Sequence, residues 1–143
     1  MTTVGFYRKV IEETGQANRE AAKRATAAVL HALRDRLTPE EADQVVAQLP
    51  RELKAVWEAG EAPGRRPVKL HRRDFYERVK TEAGLASLRE ARWYAVGVFA
   101  ALKEQLSPGE ADDVLAQLPK DLKEVWEEAV SHGAASDRTA DDG

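Results

Sequence analysis

The chain repeats itself. With Phe6 set opposite Phe75, residues 6–58 run against residues 75–127 without a gap. FYRKV meets FYERV, LTPEEADQVVAQLP meets LSPGEADDVLAQLP, and LKAVWE meets LKEVWE. Roughly half of the paired positions are identical, which marks a duplication. The fold is thereby restricted to two copies of one unit. The duplication also sorts the side chains: those kept in both copies serve the shared fold, and those found in one copy are free for another task.

Each unit reads as four helices. In the first, residues 3–14, Phe6 and Val10 fall at helical spacing, with Tyr7 and Ile11 beside them. Gly15 and its counterpart Gly84 stand where a left-handed C-terminal residue is wanted. The second helix, about 17–36, is rich in alanine and carries a stripe of Ala22, Ala25, Val29, Ala32 and Leu33, continued by Leu37. In the second copy Trp93, Tyr94 and Phe99 replace Arg24, Ala25 and Leu30, so the two interiors cannot be packed alike.

Thr38-Pro39-Glu40-Glu41 reads as a capping box, with Thr38 as N-cap, Pro39 in the first turn and Glu41 reaching back to the N-cap amide; Ser107-Pro108-Gly109-Glu110 repeats it. The third helix ends near Gln48, because the residue before Pro50 or Pro119 is pushed out of the α region. The fourth carries Leu53, Val56 and Trp57, matched by Leu122, Val125 and Trp126. Helices this short are marginal alone. The expected fold is therefore all-α: two tandem four-helix repeats packed as one pseudo-two-fold helical bundle. The expected divisions are a first repeat over 1–59, a basic Pro/Gly linker over 60–73, a second repeat over 74–131 and a disordered acidic tail over 132–143.

Composition narrows the chemistry. There is no cysteine, which excludes thiolate metal sites, disulfides and cysteine nucleophiles and suits a reducing cytoplasm. The net charge of −3 gives no global attraction to nucleic acid or anionic lipid. The first ten residues are polar and do not read as a signal peptide, and no apolar run approaches the roughly 20 residues that span a bilayer. A cytoplasmic protein without membrane partners is expected.

The succession of a Phe-initiated helix, an alanine-rich helix, [ST]-P-x-E-A-D and then A-Q-L-P resembles the bacterial and archaeal family known as domain of unknown function 2267. The resemblance covers both units. It implies a helical fold and brings no reaction, cofactor or catalytic residue with it.

The candidate sites are few. Glu40, Glu41, Asp43, Glu110, Asp112 and Asp113 could ligate a cation, but they lie at helix starts where capping and the helix dipole account for acids, and no EF-hand spacing is present. His31, His71 and His132 form no i, i+3 or i, i+4 metal pair. The linker residues Arg65, Arg66, Lys69, His71, Arg72 and Arg73 make the one concentrated charge. They read either as a contact to a partner or nucleic acid or as a solvated connector, and aromatics that would favour single strands are missing among them. Trp93 and Tyr94, present in the second copy alone, read as a partner-binding aromatic patch or as core. No nucleophilic triad and no phosphate loop can be assembled. The expectation is a non-enzymatic helical interaction protein that needs no cofactor and binds another protein, in a regulatory or stress-linked role. Nucleic-acid binding through the linker, and a small ligand or metal between the lobes, stand as alternatives.

Overall fold

The computed structural model describes residues 1–16 and 18–130. The expected tail, with His132, and the proposed helix start at Ala17 lie outside the described residues. Among those described, the chain forms eight helices and no strand: α1 Thr3–Thr14, α2 Arg19–Arg36, α3 Pro39–Ala47, α4 Arg51–Glu58, α5 Arg72–Ala83, α6 Leu88–Gln105, α7 Pro108–Ala116 and α8 Lys120–Glu128. Each helix of the second half begins at the residue that the sequence sets opposite the start of its counterpart. No helix is long and apolar enough to cross a membrane among these residues.

The ends follow the local chemistry. Gly15 and Gly84 close α1 and α5 at φ 71° and 67°, a conformation an L side chain would strain. Asn18 and Ser87 cap α2 and α6 by accepting from Ala21 and Glu90 amides. The Leu-Pro pairs stop α3 and α7 as expected. The linker is shorter than its composition suggests, because α5 starts at Arg72. Asp74 accepts from the His71 amide at 3.3 Å, and Asp121 of α8 accepts from the Arg72 amide at 3.0 Å, which draws two more residues into the first turn.

The helices pack across the halves. α1 lies chiefly along α6, and α5 chiefly along α2; each first helix thus covers the long helix of the other half more fully than its own. Two ion pairs repeat this exchange. Lys9 of α1 reaches Glu104 of α6 at 3.5 Å, and Arg78 of α5 reaches Asp35 of α2 at 2.8 Å. Burial works against the Asp35 carboxylate, but the guanidiniums of Arg34 and Arg78 outweigh it and hold the group below its usual range. One continuous interior results, with Phe6, Phe75, Phe99, Trp57 and Trp126 among its largest fully enclosed side chains.

The long helices also finish the short ones. The buried Arg34 donates to the Trp57 and Ala59 carbonyls at 2.7 and 2.8 Å, closing the C-terminus of α4. Lys103, its counterpart in α6, donates to the Trp126 and Ala129 carbonyls at 2.8 Å and closes α8. Burial lowers the Lys103 ammonium below its usual range. These cations satisfy carbonyls that a helix end leaves orphaned, and they explain how α4 and α8 survive with so few residues.

Candidate functional site

Two places concentrate polar groups. The first is the junction of α3 with α7. Thr38 and Ser107 accept from the Glu41 and Glu110 amides at 3.2 Å, as N-caps should. The reciprocal half of each capping box departs from expectation. The Thr38 amide donates to Oε1 of Gln117 at 2.9 Å, and the Ser107 amide donates to Oε1 of Gln48 at 2.8 Å. The glutamine of each A-Q-L-P motif therefore caps the opposite half. A tertiary partner has taken the amide that a local carboxylate would have bound, and the freed glutamates turn inward. Glu41 and Glu110 are 8% and 5% exposed, and their Oε2 atoms meet no donor. Carboxylate oxygens of Glu41, Glu110 and Asp113 lie within 4.8 Å of one another. Asp113 is exposed, as are the other acids singled out with them, Glu40, Asp43 and Asp112. The spacing of the trio is compatible with a cation, but the N-termini of α3 and α7 set positive dipole ends beside it, which opposes one.

The second place is the linker. Val68 is tied to α2 by its amide, which donates to the Asp35 carbonyl at 2.8 Å, and Leu70 is buried as an anchor. Between these fixed points Lys69 projects outward. Lys69, Leu70 and His71 join Arg36 at the end of α2 and Pro119 at the start of α8 around a cavity of about 260 Å³. Nε of Arg36 is buried without a partner. α8 has no side-chain cap, so its first amides add positive potential at the Pro119 side. Asp121 offsets part of this charge, standing 3.7 Å from Nδ1 of His71.

The six basic linker residues divide. Arg65 does not face solvent as a partner contact would: it donates to Glu61 and to the Leu37 carbonyl, both at 2.7 Å, and closes the end of α2. Arg73 pairs with Glu77 one turn along α5. Arg66, Lys69, His71 and Arg72 are exposed, as is Arg73. Beside them an open groove of about 480 Å³ is lined by Asp74, Glu77, Arg78 and Glu82, with Leu70 and Thr81, so the basic strip has an acidic border. Arg36 escaped the sequence reading because it lies in a helix remote from the linker in sequence; nothing local marks it.

Trp93 and Tyr94 part company. Trp93 is 38% exposed and Tyr94 only 3%, so they do not form one patch. Neighbours on a helix point about 100° apart, which lets Trp93 reach solvent while Tyr94 faces the interior. His31 is engaged by both nitrogens, Nδ1 with Glu82 at 2.7 Å and Nε2 with the Val56 carbonyl at 2.6 Å, tying α2 to α5 and α4.

Among known proteins, the model of a family described as an uncharacterized conserved protein (DUF2267) matches residues 4–125. No curated protein matches the chain.

Proposed function

The chain belongs to that family, and for this member of it we propose a non-enzymatic interaction protein that receives an anionic group of a protein partner in the pocket of Arg36, Lys69 and His71. The observation that carries the reading is the convergence of these three side chains, from two separate segments, on one cavity. A compact anion such as a side-chain carboxylate would gain charge-assisted hydrogen bonds there. Nucleic acid is the weaker reading. A phosphate backbone laid along the linker would find Arg65 withdrawn and Arg73 already paired, and would cross Asp74, Glu77 and Glu82.

The test uses the full chain with a fluorescent oligoglutamate peptide and, separately, a DNA duplex of random sequence. Peptide binding is expected, weakened roughly tenfold by Arg36→Ala together with Lys69→Ala. Equal peptide affinity in wild type and variant overturns the assignment. Tight duplex binding that falls steeply with salt and is lost when Arg66 and Arg72 become alanine would favour nucleic acid instead.

A further inference from the structure

We infer that the junction of α3 with α7 is latched by one proton shared between Glu41 and Glu110, and that losing it loosens the contact between the halves. The starting point is the displacement of both carboxyls from their capping role. Gln117 and Gln48 hold the amides that would have bound them. Each glutamate then has its Oε2 buried without a donor, and a carboxyl oxygen of one lies within 4.8 Å of a carboxyl oxygen of the other. Two enclosed carboxylates at this distance repel strongly where the effective dielectric is low. A single proton removes the conflict, since it cancels one charge and gives one carboxyl an O–H to donate to the other.

The N-termini of α3 and α7 favour one carboxylate here, but a second meets acidic neighbours. The charged groups acting on the Glu110 carboxyl are acidic: Glu41 from α3 and Asp113 from α7. From α4, α6 and α8, the other helices packed against these two, no ion pair reaches either carboxyl among the described residues. Burial first, and then Glu41 and Asp113, push the Glu110 carboxyl up from the usual 4.5 to about 8. An unfolded chain releases this proton near 4.5, whereas the folded junction keeps it to about 8, so the native state binds more protons in between. The stabilisation is therefore fully present below about pH 4.5, declines as the pH rises, and is gone above about pH 8.

Carboxyl carbon and amide NMR of the full chain reads the latch directly. Between about pH 5 and about 9, the Glu110 carboxyl is expected to lose one proton with a midpoint near 8. The amides of Thr38 and Ser107, which span the same junction, should shift with that midpoint. Glu110→Gln replaces the O–H donor by a permanent N–H donor to Glu41 and should abolish the alkaline step at both amides. Glu41→Gln is the mirror substitution and is read identically should the first variant fail to fold. A Glu110 carboxyl that titrates in the ordinary acidic range overturns the inference, as does an alkaline step at Thr38 and Ser107 that survives the glutamine substitution. Magnesium or calcium that returns those amides to their low-pH positions at alkaline pH would also overturn it, by showing that the trio holds a cation in place of the proton.

Discussion

Replacing Phe99 by alanine is expected to destabilise the protein by about 3–5 kcal/mol, one of the largest effects available to a single substitution. The ring is fully enclosed. It packs at 5.7 Å and 59° against Phe75, and at 5.1 Å and 52° against Trp126, the tilted arrangement that aromatic rings prefer. Alanine would forfeit the buried area, both ring contacts and the volume, and rigid helix backbones on every side limit collapse into the gap. Leucine, which the first half carries at the equivalent Leu30, should cost only about 1–2 kcal/mol, because it keeps most of the apolar bulk. Urea midpoints with unchanged slopes would register both values. An alanine variant within about 1 kcal/mol of wild type would mean that Phe99 does not join the two aromatic neighbours.

The second large effect lies where α1 crosses α6. Propensity alone would make Gly97→Ala stabilising by about 1 kcal/mol in a helix interior. The crossing reverses the sign. A methyl group at Gly97 would stand 2.7 Å from Cγ2 of Thr14 and 3.4 Å from the Val10 carbonyl oxygen. Thr14 cannot rotate away cheaply, because its hydroxyl donates to that same Val10 carbonyl at 2.9 Å. Gly97→Ala is therefore expected to destabilise by about 1–3 kcal/mol. Thr14→Ala in the same chain should restore most of the loss, a coupling of about 1 kcal/mol or more in a double-mutant cycle. The sequence sets Ala28 opposite Gly97 and Ala83 opposite Thr14, so the double variant would reproduce the pairing of small residues available where α5 meets α2. Additive effects at the two positions would remove this contact from the account.

Local structure was readable from the residues. Capping side chains, the two αL glycines and the Leu-Pro stops act within a few positions of themselves, and each helix of the second half starts where the alignment sets it. The partners of those helices were not readable. A stripe of Ala22, Ala25 and Val29 states which face is buried and leaves open which helix covers it, so the exchange of α1 and α5 between halves left no local mark. The same reason hides the role of Gln48 and Gln117. A glutamine two residues before a proline looks like an ordinary polar C-cap, and only the meeting of α3 with α7 brings its amide group to the opposite N-cap. The misreading of Glu41 and Glu110 follows directly, since a capping box is complete in sequence whether or not its reciprocal bond forms.

The candidate site divides along the same line. Lys69 and His71 were visible as charge, and Arg36 became part of the pocket through tertiary folding. Arg65 counted as surface charge until the end of α2 supplied the Leu37 carbonyl it caps. Leu70, a single apolar residue amid basic ones, carried no periodic signal, yet it is buried and lines the pocket together with its neighbours Lys69 and His71.

The claim beneath all of this is that each half completes the interior of the other. Expressing residues 1–64 and 65–143 as separate chains tests it most directly, by helicity, cooperative unfolding and sedimentation. Neither chain alone is expected to form a cooperatively folding monomer, because each would leave its long helix without the first helix that covers it; mixing them should regain the helicity and single transition of the intact protein. A lone fragment that folds cooperatively as a monomer would contradict the account.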